Sequence, residues 1–88
     1  MAHAYCEFVK DGNTFRAKGQ IWIRLANVST PGLEEPGGLE AKQTLENRIL
    51  NQYIIYNPVG KNNTHIVADV WVENKWVNEY MRLQGYTC

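Results

Sequence analysis

Arg24 is the residue whose chemistry stands out first. It sits in Ile21-Trp22-Ile23-Arg24-Leu25-Ala26, a lone charge in an otherwise apolar run. A guanidinium in such a place either clamps a phosphate with its planar fork or pairs with a carboxylate, here Glu40 or Asp11. Trp22, Trp71 and Trp76 offer faces on which nucleic-acid bases stack. Trp22 and Trp71 fall on the outward-alternating positions of their strands and are the binding candidates. Trp76, at the start of a helical pattern, reads as closing a core. His65, at a strand edge, reads as a solvated surface residue, and Asp69 as a solvent-facing carboxylate. Lys10, Arg16 and Lys61 are the other positive groups near the presumed groove.

The elements that position these side chains are legible from periodicity. Tyr5 to Lys10 mixes Tyr, Phe and Val and reads as a strand. Asp11-Gly12-Asn13 turns it into a second strand, Thr14 to Lys18, and Lys18-Gly19-Gln20 turns that into a third, Ile21 to Asn27. In the third, Ile21, Ile23 and Leu25 alternate strictly with Trp22, Arg24 and Ala26. Pro31 to Gly38, rich in proline and glycine around Glu34 and Glu35, reads as an exposed loop. From Leu39 the period changes: Ala41, Leu45 and Ile49 fall at i, i+4 and i+8, the mark of an amphipathic helix. Gln52 to Pro58 reads as a strand ended by its proline, Val59 to Asn63 as a turn, and Thr64 to Glu73 as a fifth strand. After a tight turn at Asn74-Lys75, a short helix runs from about Trp76 to Gln84, burying Val77, Tyr80 and Met81, with Gly85 as its left-handed cap. The order β-β-β-α-β-β-α predicts a β-rich α+β fold, a five-stranded Greek-key barrel of the OB type with two helices.

Composition narrows the partners. An 88-residue chain is expected to form one domain, residues 1–88, around one modest core. At 44% apolar it should fold rather than stay disordered. Nine basic and nine acidic side chains cancel, which argues against a protein held to nucleic acid mainly by phosphate contacts. There is no apolar run long enough to span a membrane and no signal-peptide pattern at Met1 to Val9, so a cytoplasmic location and no membrane partner are expected. Cys6 and Cys88 are then expected as free thiols, and the Asn27-Val28-Ser29 and Asn62-Asn63-Thr64 sequons as unused.

The segments DGNTF, IWIRLANVSTP, GGLEAKQTLENRIL, VADVWV and WVNEYMRLQGY resemble, in order and spacing, the staphylococcal nuclease (thermonuclease) domain family. The likeness runs from about Val9 to Tyr86 and stops before the segment in which such domains carry a third helix and nucleotide-stacking tyrosines. It implies phosphodiester hydrolysis: a calcium ion on two aspartates, a glutamate that activates water, and two arginines that clamp the phosphate. Residue by residue, the apparatus is largely replaced. Asn13 stands for the first aspartate, in DGNT. Ser29 stands for the second, in STPG, where Thr30, a backbone-carbonyl ligand in the family, is kept. Gly32 stands for the glutamate, and His65, in NTH, for the second arginine. Arg24 matches the first arginine and is the one chemical side chain of the five retained.

Calcium affinity follows ligand charge, and Gly32 has no side chain to act on water. The resemblance therefore points to a domain that has lost catalysis and binds single-stranded nucleic acid, weakly, or a protein partner, with no cofactor. Two rivals stand beside it. One is a rebuilt phosphodiesterase using Arg24, Thr30, Glu34 and Asp11, with Glu34 or Glu35 swung into the place of the missing glutamate. The other is a structural or self-associating domain.

Overall fold

A computed structural model describes residues 2–62 and 64–87. The strands are β1 (Ala2–Asp11), β2 (Thr14–Ala17), β3 (Ile21–Leu25), β4 (Tyr53–Lys61), β5 (Ile66–Val72) and β6 (Lys75–Trp76); the helices are α1 (Gly38–Ile49) and α2 (Val77–Leu83). The sheet order is β3-β2-β1-β4-β5-β6, and β3 also pairs in parallel with β5. That last pairing closes the first five strands into the expected barrel, with β6 a two-residue addition on the β5 edge.

The barrel closes around apolar side chains from all five of its strands. Ile23 and Leu25 of β3, Phe15 of β2, Val9 of β1, Ile54 of β4 and Val70 of β5 are buried together. Ala41, Leu45 and Ile49 form the buried stripe of α1, as their spacing predicts. Gly12, in the β1–β2 turn, has no room for a side chain: a Cβ there would lie 2.7 Å from Ala41 Cβ and 2.8 Å from Thr30 Cγ2. Its bareness lets the turn, the loop after β3 and α1 meet.

Several boundaries differ from expectation, each for a local reason. β1 begins at Ala2 rather than Tyr5 because Ala2 to Tyr5 pair with Tyr56 to Tyr53. β4 does not end at Pro58 but continues to Lys61. Its pairing with β1 ends at Ala2↔Tyr56, so beyond that point one edge of β4 has no β1 partner and the missing N–H of Pro58 costs no ladder bond. The tight turn before α2 is Glu73-Asn74, whose φ angles of 51° and 66° match the primed turns of hairpins, not Asn74-Lys75. That shift puts Trp76 in β6, at 37% exposure, instead of in a core-closing helix. α2 buries Val77, Asn78 and Met81, while Tyr80 is only half-buried. Gly85 does cap α2 in the left-handed region, with Tyr86 N–H reaching the Met81 carbonyl at 3.2 Å.

Among the described residues, no helix is long and apolar enough to cross a membrane. Cys6 is a buried free thiol, and burial pushes it up to about 11 from 9.0, so it is protonated and unreactive near neutrality. The expectation for Cys88 and the Asn63 position of the second sequon lie outside the described residues.

Candidate functional site

The outer surface of the barrel carries a row of side chains that crosses four strand positions. Phe8 on β1 pairs in register with Arg16 on β2, and Arg16 pairs with Trp22 on β3. His65, just before β5, comes next, its ring 5.6 Å from that of Trp22 and tilted by 50°. Phe8 meets Trp22 edge-on at 6.3 Å. The Arg16 guanidinium lies 5.1 Å from the Phe8 ring centroid and 5.7 Å from that of Trp22, and its Nε donates to Glu7 Oε2 at 3.0 Å. On the next turn of the polypeptide, Thr64 Oγ1 and His65 Nδ1 lie 2.6 Å apart, fixing the imidazole. Phe8 is exposed, and Arg16, Trp22 and His65 are half-buried. The row is a set of planar groups held in place before any ligand arrives.

A bulge makes this possible. Between Cys6 and Phe8, β1 advances two residues while β2 advances one. The extra residue flips the alternation, so Cys6 and Val9 point into the core and Phe8 points out. Strict alternation from Cys6 would place Phe8 inside, so its outward position depends on the bulge.

Arg24 sits beside this row, one residue pair along, opposite Thr14 on β2 and Val67 on β5. It is exposed and makes no ion pair; among the described residues Arg16–Glu7 is the sole one. The pairing of Arg24 with Glu40 or Asp11 is therefore corrected. Asp11 shares a cross-strand row with Arg24 through Thr14 but forms no ion pair with it, and an Asp11 carboxylate oxygen accepts the Asn13 backbone N–H at 3.1 Å. Arg24 keeps a free fork on the outer face.

The positions that resemble a metal site come together but with different chemistry. Asn13 Nδ2 donates to the Val28 carbonyl at 3.2 Å, and its Oδ1 accepts from Thr14 Oγ1 at 3.0 Å. The side chain thus cross-links the β1–β2 turn to the loop after β3, a bond that needs an N–H donor and that a carboxylate cannot make. Ser29 next to it is exposed, and Thr30 packs against Gly12. In place of a glutamate at position 32, the Glu35 carboxylate reaches back and accepts the Gly32 N–H at 2.9 Å. Glu34 is exposed and makes no such bond. A calcium ion fits this set poorly: the amide nitrogen of Asn13 is turned to Val28, its oxygen is in use, and the two nearby carboxylates, Asp11 and Glu35, hold backbone N–H groups.

The three tryptophans do not form one platform. Trp71 lies six residues beyond His65 in sequence, roughly 20 Å along an extended strand at ~3.3 Å per residue, with Ile55 and Trp76 as its register neighbours. Trp76 donates its indole N–H to Asp69 Oδ1 at 3.3 Å and has the Arg82 guanidinium 4.7 Å from its ring centroid. Asp69 is therefore a partly buried acceptor rather than a simple solvated carboxylate.

A closed five-stranded barrel with two helices is the architecture of an OB-type domain. The family model of staphylococcal nuclease homologues matches residues 22–88, from Trp22 through both helices. The chain belongs to the staphylococcal nuclease family. Comparison with curated proteins returns no match.

Proposed function

We propose that this domain is a metal-independent binding module for single-stranded nucleic acid, and that it does not cleave its ligand. The observation that carries the reading is the Phe8–Arg16–Trp22–His65 row with Arg24 free beside it. Bases stack on the exposed parts of the row, and Arg24, with Lys10 and Lys61, meets phosphates. Trp71 lies outside this face. A reducing compartment such as the cytoplasm suits a domain whose Cys6 is a buried thiol.

Affinity should depend on aromatic faces as much as on charge. For single strands, the slope of log affinity against log salt is about −0.7 per phosphate neutralised, so two or three contacts give about −1.4 to −2.1. Trp22→Ala is expected to cost about 1–3 kcal/mol of binding at unchanged slope. Arg24→Ala is expected to flatten the slope by about 0.7. Fluorescence anisotropy of labelled single strands across a salt series measures both. A slope steeper than about −4 with no effect of Trp22→Ala would mean an extended basic surface instead. No binding at low salt would leave a protein partner as the function.

Metal independence has its own test. Millimolar calcium is expected to leave the melting temperature unchanged, since only a ligand that binds the native state raises it. Asn13→Asp should lower stability by about 1–2 kcal/mol, because it removes the donor to Val28 O and sets a carboxylate against that carbonyl. A calcium-dependent rise in melting temperature of the parent, or cleavage of DNA or RNA that disappears in Arg24→Ala, would restore the enzyme reading.

A further inference from the structure

A shallow cleft of about 180 Å3, open to solvent, lies between the last turn of α1, the β5–β6 hairpin and α2, and shares no residue with the Trp22 row. The floor is apolar, made by the buried side chains of Val72 and Val77. Trp76 and Tyr80 supply aromatic walls, and Arg48 and Lys75 are the cations.

The aromatic and cationic groups are preset. Trp76 is fixed by its N–H bond to Asp69 Oδ1 and by Arg82 against its ring. The Arg48 guanidinium lies 3.8 Å from the Tyr80 ring centroid, which positions the planar fork while leaving its N–H groups without a carboxylate. Among the described residues Lys75 makes no ion pair either. One carboxylate, Glu73, lines the same cleft, so the lining charge is two cations against one anion. A positive, partly aromatic cleft with an unspent guanidinium fork matches a ligand with one planar ring and one anionic group.

We infer that this cleft binds a nucleoside 5′-phosphate, its base against Trp76 and Tyr80 and its phosphate on Arg48 and Lys75. The phosphate selects for Arg48 because two parallel N–H donors meet two oxygens, which a hydrated lysine alone does not provide. The base needs the indole and phenol faces because stacking accepts any base and does not depend on a particular hydrogen-bonding edge. The ligand is either a free nucleotide or the 5′-phosphorylated end of a strand; both present the same chemistry.

The test titrates adenosine 5′-monophosphate into the isotopically labelled 88-residue chain and follows backbone amide and indole N–H signals by NMR. Saturable shifts are expected at Arg48, Lys75, Trp76 and Tyr80, at nucleotide concentrations below those that move the Trp22 and His65 signals. Adenosine and inorganic phosphate should each bind at least about tenfold more weakly than the nucleotide. Arg48→Gln and Trp76→Leu should each weaken binding about tenfold or more, while Trp22→Ala and Arg24→Ala leave it unchanged. A 5′-phosphorylated oligonucleotide that shifts the cleft signals at lower concentration than the mononucleotide assigns the site to strand ends, and the reverse order assigns it to free nucleotides. Equal binding of adenosine and its phosphate, or shifts confined to Trp22 and His65, would overturn the inference without touching the single-strand reading. No saturable shift in the unaltered protein overturns it as well, and needs no variant to interpret.

Discussion

Replacing Asn78 with leucine should destabilise this domain by about 3 kcal/mol, a large share of the order of 5–15 kcal/mol that such a domain has in all. Asn78 is fully buried on α2. Its Oδ1 accepts the Val70 N–H at 2.8 Å; its Nδ2 donates to the Ala26 carbonyl at 3.0 Å and to the Ala68 carbonyl at 3.1 Å. One side chain thus joins α2, β5 and the segment just after β3, where the barrel closes in parallel. Leucine has the same branched outline and number of side-chain heavy atoms but bulkier methyl groups, so some overpacking adds to a loss that is mainly polar. The Ala68 carbonyl still receives the Ala26 N–H at 2.9 Å, and the Ala26 carbonyl keeps only a long contact to Arg82 at 3.5 Å. The Val70 N–H has no substitute. Leaving a buried donor bare costs about 1–3 kcal/mol, and each weakened acceptor adds about 0.5–1.5 kcal/mol. Urea unfolding measures the total, and at roughly 4–8 °C per kcal/mol for a domain of this length the melting temperature should fall by about 12–24 °C. A loss under about 1 kcal/mol would mean that water reaches these groups and that Asn78 does not hold the closure.

Asn78 also marks where sequence reading stops. The helix around it was legible, because Val77 and Met81 fall at i and i+4. An asparagine beside them on the buried side has no meaning until the two carbonyls and the amide it serves are brought together from residues 26, 68 and 70. β3 is legible for the opposite reason: Ile21, Ile23 and Leu25 mark its inner face without any partner, although the strand ends at Leu25 and not at the expected Asn27, whose φ of 58° turns the chain, and Ala26 is buried. β4 runs past Pro58 because a proline ends a strand only where its N–H is needed, and that depends on how far β1 extends beside it.

The candidate face was half legible. Trp22 and Arg24 stand out from the alternation of a single strand. Phe8 and Arg16 join them through register, and the register depends on a bulge that no local pattern announces. His65 could be matched to a position in the family but not to Trp22, since its neighbour is set by the parallel pairing of β3 with β5, whose sequences lie forty residues apart. The fate of Arg24 turned on Asp11, a plausible partner by charge that spends its carboxylate on its own turn.

Gly38→Ala should cost about 2–3 kcal/mol even though alanine is the better helix former. A Cβ at Gly38 would lie 2.6 Å from the Gly32 carbonyl carbon, and closer still to its oxygen. Both obstacles are backbone, so no rotamer change relieves them. The peptide at Gly32 is also fixed on its own account: its carbonyl accepts the Glu35 N–H at 2.9 Å, and its N–H goes to Glu35 Oε1. Moving it breaks the turn that delivers the chain from the loop into α1, where the Glu35 carbonyl accepts the Gly38 N–H at 3.0 Å. Against this stands a helix-propensity gain of at most about 1 kcal/mol, smaller at a first helical position than in the interior. Overpacking costs about 1–3 kcal/mol where side chains can adjust and more where backbone must move, so the clash wins. Gly60→Ala is the control: its Cβ would meet only Val67 Cβ, at 3.8 Å, and its stability should stay within about 0.5 kcal/mol of the parent. Denaturant unfolding of the two variants side by side gives the comparison, and amide exchange localises the damage to residues 32–38 rather than to the Trp22 face. Gly38→Ala at or above parental stability would mean that the loop from Pro31 to Gly37 shifts freely, and that the Glu35 bond to Gly32 does not hold it against α1.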